Sequence, residues 1–279
     1  MSRSSLKEKT MSAVFFVSAL ASVLAAALIC LFLFANGIPA MGKIGVFRFL
    51  LGTEWSPSDN PPLFGILPMI VGSLYVTAGA ILIGVPVGVL TAVFLAGACP
   101  EKLYKFLKPG LELMAGIPSV VYGFFGMAAI VPIFGSSIIS ACILLGIMIL
   151  PTITGIAESA LRAVPQEYHE GALALGAGHF RSLFFVVLPA AKSGISAAVV
   201  LGIGRTIGET MAVIMVAGNQ ARMPSSLLKG VRTLTANIVL EMGYAAELHR
   251  ESLIATGVVL FVFILIINLS FSALKGRTK

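Results

Sequence analysis

Six blocks of apolar residues, each long enough to cross a bilayer, constrain this chain more than any other feature. They cover roughly residues 11–35, 67–95, 111–134, 138–160, 194–218 and 253–271. About 20 apolar residues at about 1.5 Å each span the roughly 30 Å of hydrocarbon. Hydrocarbon offers no water to the backbone, so such blocks must close their hydrogen bonds internally as helices. The chain is therefore expected to be an all-α integral membrane protein with about six transmembrane helices. A hydrophobic fraction of 58% with 11% charged residues excludes an ordinary soluble domain, and a mean hydropathy of +1.01 agrees.

Orientation follows from Lys and Arg, which accumulate in short cytoplasmic loops. With the N-terminus inside, the inner face collects Arg3, Lys7, Lys9, Lys102, Lys105, Lys108, Arg162, Arg181, Lys192, Lys275, Arg277 and Lys279. The outer face receives Lys43, Arg48, Arg222, Lys229, Arg232 and Arg250. Both termini are expected in the cytoplasm, the first block being a retained helix rather than a signal peptide. This sidedness largely explains the net charge of +7, which needs no nucleic-acid partner. Cys30, Cys99 and Cys142 form no disulfide framework or zinc spacing, and His169, His179 and His249 have no metal-ligand spacing and read as solvated or interfacial residues.

The organisation is asymmetric. Residues 1–66 read as a cytoplasmic tail, a first helix and an external loop whose Trp55, Pro57, Pro61 and Pro62 exclude a continuous helix. Residues 67–273 read as a five-helix unit, and 274–279 as a cytoplasmic tail. Kinks are expected at Val85-Pro86 and Ile117-Pro118, whether for packing or for gating. Gly204 with Gly208, and Gly123 with Gly126, are expected to let neighbouring helices approach closely. Glu112 and Glu158 receive no role.

The loop over 164–189 is polar and helix-forming. Pro165 suits a first helical turn, good helix formers fill 166–175, and Gly176 and Gly178 are natural stops because glycine accepts left-handed backbone. A second short helix is expected over 179–188, running to Pro189. Two short helices joined by a glycine turn make a knob suited to a groove in another protein. The same segment, with Phe180, Phe184 and Phe185, also suits the surface of a bilayer.

One basic residue, Arg205, falls roughly twelve residues into the fifth block, where a charge costs about 2.5–3.5 kcal/mol on insertion scales. Something must compensate it. Glu209, four residues on, shares its face on a continuous helix and is expected to pair with it. Such residues either neutralise each other structurally or line a polar path.

The loop carries Glu170, Gly171, Ala172, Gly176, Leu188 and Pro189 at the spacing E-x-A, glycine, then aliphatic-x-L-P, which resembles the coupling-loop signature of ABC importer permeases. It departs from that family at Gly171, usually alanine, and at Val186, commonly isoleucine. Gly202 to Val213, containing Gly-Arg-Thr-Ile-Gly-Glu-Thr-Met-Ala, further resembles phosphate-specific permeases of the PstC type. So do Gly116 to Gly123 and Phe49 to Trp55 with Phe64 to Pro68. The resemblance implies the type I ABC importer permease fold in a bacterial cytoplasmic membrane. It also implies a second homologous permease subunit, two ATP-binding subunits on the cytoplasmic face and an external phosphate-binding protein. On this reading Arg205 and Glu209 border the substrate pathway, and the loop residues couple to the ATPase. No G-x-x-x-x-G-K-[S/T] loop occurs, so ATP chemistry is expected in partners; no cofactor or metal is expected.

Rival readings remain. A permease for molybdate, tungstate or sulfate would share most of these features. A secondary transporter would need midplane carboxylates and an internal repeat, of which only Glu209 is visible. A non-transporting scaffold leaves Arg205 and Glu209 without a purpose.

Overall fold

The computed structural model describes residues 3–276. The terminal basic residues Arg277 and Lys279, counted in the charge asymmetry, and the last part of the expected tail lie outside them. Four helices are long and apolar enough to cross a membrane singly. They are Thr10–Ile44 within α1 (Arg3–Ile44), α3 (Leu67–Ala98), α6 (Ile138–Arg162) and Glu247–Ser270 within α12 (Glu247–Gly276). Two more spans are bent pairs, giving six in all if each pair counts once. The first joins α4 (Glu101–Gly116) to α5 (Ser119–Phe134) at 101°, and the second joins α8 (His179–Ala190) to α9 (Lys192–Gly208) at 72°. Short helices complete the chain: α2 (Val46–Leu51), α7 (Gln166–Ala174), α10 (Met211–Val216) and α11 (Leu234–Glu241).

The prolines act unequally. Ile117 takes an extended ψ of 127° before Pro118, the conformation a following proline imposes. The expected kink there is a right-angle turn, so block 111–134 is not one helix. At Pro86 the helix runs on without interruption. Its neighbours Gly84 and Gly88 lie against Ile149 and Ile153 of α6, so close packing supports α3 where its own ladder lacks a bond.

Helix α6 is the hub, with 67% of its membrane-length window buried. Around its middle, Val76, Tyr122, Leu144, Leu145, Val213 and Val216 from α3, α5, α6 and α10 form one apolar cluster. Gly123 and Gly126 of α5 bring that helix onto Met215 and onto Leu144 and Val216, the close approach expected of them. At the end carrying the 164–189 loop, Val93, Ala157, Leu161, Leu183 and Val187 form a second cluster. At the opposite end Phe49, Trp55, Phe64, Ile66, Leu234 and Leu253 form a third.

This opposite end is built on a small hairpin, β1 (Trp55–Ser56) antiparallel to β2 (Leu63–Phe64). Two glycines let α2 and the hairpin meet. A Cβ at Gly52 would stand 2.4 Å from the Arg48 carbonyl oxygen and 2.7 Å from Gly65 Cα, with no flexible atom to yield. Gly52→Ala should therefore destabilise the protein by about 1–3 kcal/mol, the usual cost of overpacking. Thermal unfolding of the purified protein in detergent would detect this, and an unchanged midpoint would contradict the contact.

Helix α1 stands at the flank. Its window is wholly unburied within the chain, yet it leans on α12 through Phe34 and Phe261, whose rings meet edge-on at 5.8 Å.

Candidate functional site: a broken helix and an exposed loop

The fifth apolar block is interrupted. Helix α9 ends at Gly208, Glu209 is extended with ψ 128°, and α10 starts at Met211. A continuous helix would have set Glu209 beneath Arg205, but the break removes that geometry, and the expected ion pair is not formed. Oε1 of Glu209 instead accepts the backbone N–H groups of Thr210, at 3.2 Å, and Ala212, at 3.3 Å. A carboxylate in this position satisfies the orphan donors of a helix start and complements its dipole. The Thr235 hydroxyl donates to the Glu209 carbonyl at 3.2 Å and holds the break from the other side.

Arg205 points away from the chain's own core. Gly202, Ile203, Thr206 and Ile207 are buried, whereas Leu201, Arg205 and Gly208, at helical spacing, are exposed. Its NH1 donates to the Thr152 hydroxyl of α6 at 3.2 Å, and no other acceptor meets it among the described residues. Gly204 and Gly208 meet nothing within 4 Å. The close helix approach expected of them therefore does not occur within this chain; Gly202 sits against Ile153 instead. A side chain with five donors and one protein acceptor retains most of its capacity for an external acceptor.

The second part of the site is the 164–189 loop. Pro165 precedes α7, and Gly176 stops it at φ +86°. The Gly176 N–H donates to the Leu173 carbonyl at 2.9 Å and the Ala177 N–H to that of Ala172 at 3.0 Å, the paired bonds of a glycine-terminated helix. Gly176→Val should cost about 1–2 kcal/mol, because a side chain clashes in left-handed backbone. Its measurable consequence would be a loosened loop, read as faster limited proteolysis within residues 164–189.

Helix α8 runs two residues beyond the expected end, past Pro189, with a wider π turn at Leu183–Val187. Glu170, Gly171, Gly176 and Pro189 are exposed, while Ala172 and Leu188 are partly buried. Apolar groups crown the knob, with Leu175 at 92% and Phe185 at 76% exposure.

Histidines, read from the sequence as solvated or interfacial, brace this loop. Nδ1 of His169 bonds the Ser182 hydroxyl at 2.8 Å, joining α7 to α8. Nε2 of His179 donates to the Gly97 carbonyl at 2.8 Å, tying the loop to the end of α3. His249 is only 15% exposed and bonds Glu241 at 2.8 Å in the hairpin end. Among the described residues no cluster of three His, Cys, Asp or Glu side chains could hold a metal ion.

Two buried carboxylates were missed from the sequence. Glu158 is 3% exposed and bonded to Lys108 and Arg162. Glu241 is 8% exposed and bonded to Arg232 and His249. Arg162 stands four residues after Glu158, and Arg232 and His249 stand nine and eight residues from Glu241, but Lys108 and Trp55 come from distant segments.

A helical bundle with up to six membrane-length spans, one of them broken beside an outward arginine, and a braced helical knob at one end has the architecture of a multi-pass membrane protein. The chain belongs to the family described as the binding-protein-dependent transport system inner membrane component, whose model matches residues 84–279. It is a multi-pass inner-membrane protein, and the family implies ATPase and binding-protein partners.

Among its relatives, "Probable ABC transporter permease protein YqgH" of Bacillus subtilis is 38% identical over 273 residues, covering 94% of this chain and 88% of that protein. "Phosphate transport system permease protein PstC" of Mesorhizobium japonicum is 34% identical, covering 84% of this chain and 80% of that one. The PstC protein of Xylella fastidiosa is also 34% identical, over 81% of this chain and 78% of its own length. An inward-facing structure of the MetNI methionine ABC transporter covers 77% of this chain and 94% of its own at a TM-score of 0.61. Its sequence identity is 21%, so the likeness is one of fold, that of type I ABC importer permeases.

Proposed function

We propose that this chain is the transmembrane permease subunit of an ATP-driven importer of inorganic phosphate. The observation that carries the reading is Arg205, an exposed guanidinium with one hydroxyl partner beside a helix break in the membrane. Relatives named as phosphate permeases, at 34% identity over more than four-fifths of the chain, supply the anion.

An exposed Arg205 cannot line a closed path within a single chain. The path is completed by a second homologous permease whose helices face α9. The guanidinium presents paired donors to two oxyanion oxygens, for which its planar fork is suited. Glu209 has one oxygen committed to the α10 backbone. Its Oε2 accepts the P–OH of monohydrogen or dihydrogen phosphate, a donor that sulfate lacks at neutral pH.

The 164–189 loop docks on the ATPase, whose two ATP-binding subunits lie on the cytoplasmic face, with both termini of this chain on the same side. The chain binds no nucleotide itself. ATP-driven closure of those subunits shifts the loop and opens the 67–273 bundle outward. An external binding protein then releases phosphate into the path, and hydrolysis returns the bundle inward.

Uptake of radiolabelled phosphate at low external concentration, with and without the gene and with excess unlabelled sulfate or molybdate, tests this. Loss of uptake that the intact gene restores, insensitive to those competitors, is the expected result. Unchanged phosphate uptake in a cell lacking other phosphate importers would remove phosphate as the substrate.

A further inference from the structure

Helix α4 contains no buried residue, so no apolar core fixes its place. It is held by charge. Glu158 of α6, 3% exposed, takes donors from one face of α4: the Tyr104 hydroxyl on Oε1 at 2.8 Å and Lys108 Nζ on Oε2 at 2.8 Å. Arg162, four residues further along α6, donates from Nε to Oε1 at 2.9 Å. Its NH2 donates to the Leu95 carbonyl of α3 at 2.9 Å, and its guanidinium lies 4.8 Å above the centre of the Tyr104 ring. One carboxylate thus ties α3, α4 and α6 together, immediately before Pro165 opens the exposed loop.

A buried carboxylate that loses a partner becomes an uncompensated charge, which the protein interior tolerates poorly. The three helix ends therefore hold together as one body. From this joint α4 leads to the turn at Pro118, where the Tyr122 hydroxyl bonds the Met114 carbonyl at 2.9 Å. Helix α5 then packs through Gly123 on Ala212 and Met215 of α10, the helix that Glu209 caps.

We infer that Glu158 is a positioning residue that carries displacement of the 164–189 loop through α4 and α5 to the helix break beside Arg205. The inference rests on the loop being the ATPase-docking element. Each link is a packed or hydrogen-bonded contact between rigid helices, the kind of network through which coupling travels.

The test uses the whole importer, with its second permease, ATPase subunits and binding protein, reconstituted in vesicles where uptake and ATP hydrolysis are read together. In Glu158→Gln, the charge is lost and the amide sets a donor against either Lys108 or Arg162. Uptake per ATP hydrolysed should fall by about tenfold, within the usual range for coupling between sites, while basal hydrolysis persists. Lys108→Met should lower the ratio less, and Lys108→Arg, which keeps a charged donor, should preserve it.

An assembled Glu158→Gln complex with an unchanged ratio would overturn the inference. If that variant fails to assemble, an unchanged ratio in Lys108→Met would overturn it equally. Ala172→Arg in the exposed loop separates the premises. If it leaves transport and ATP hydrolysis intact, the docking reading fails; if it disrupts them while Glu158→Gln is silent, only the role of Glu158 fails.

Discussion

Arg205→Gln should abolish transport while the subunit assembles at normal levels. Glutamine keeps the polar reach of the side chain but loses the charge and the fork of donors. Hydrogen bonds to a charged group contribute about 1.5–3 kcal/mol each. Losing two such bonds to the anion should cost about 3 kcal/mol or more, roughly a hundredfold in affinity for the path. The fold should be indifferent, because Arg205 is exposed and makes one hydrogen bond, to Thr152. Arg205→Lys should rescue only in part, since a point charge cannot match two oxygens at once. Uptake in vesicles containing equal amounts of assembled complex is the measurement. A normal rate in Arg205→Gln would mean that this arginine does not meet the substrate.

Glu241→Ala should destabilise the protein more than any surface change, through the hairpin end. Oε2 of Glu241 accepts from the Trp55 indole N–H at 2.9 Å and bonds His249 Nε2 at 2.8 Å, and its other oxygen takes Arg232 NH1. Arg232 is 18% exposed and His249 15%. Removing the carboxylate takes the charge partner from a partly buried guanidinium and leaves a buried indole N–H without its acceptor, a loss of about 3 kcal/mol. Arg232 also donates to the Asn219 carbonyl and to Asn237 Oδ1, so the segment after α10 should loosen as well. Thermal unfolding in detergent, with limited proteolysis of residues 217–233, would read both effects. A variant as stable as the parent would show that the hairpin end is held by its apolar cluster alone.

The two carboxylate hubs define the limit of what a linear reading can find. Lys108 and Glu158 are 50 positions apart, and Trp55 and Glu241 are 186 apart. Neither pair leaves a periodic trace, because an ion pair or hydrogen bond between distant segments depends on how they pack and not on spacing along one of them. Glu158, which the sequence gives no role, bonds Tyr104 and Lys108 of a helix with no buried residue of its own. The histidines read as solvated or interfacial, and His179 is indeed exposed, but no ligand spacing announces the bonds of His169 to Ser182, His179 to Gly97 or His249 to Glu241.

Local chemistry was legible wherever it acts over a few residues. Bilayer-length apolar blocks, the Pro165 start, the Gly176 stop and the turn at Pro118 all follow from backbone sterics and the need to satisfy hydrogen bonds, which a sequence states directly. The oddity of Arg205 was equally plain, because a charge in an apolar block is costly in any fold. Tertiary structure decided where that charge faces and what Glu209 does. The expected pair presumed an unbroken helix. The chain breaks at Gly208, Glu209 turns to the backbone of the next helix, and the Thr235 hydroxyl holds the break in place. The break at that point draws on a hydrogen bond from Thr235, 26 residues on, as well as on local capping by Glu209, so part of it lies in the fold and not in the local sequence.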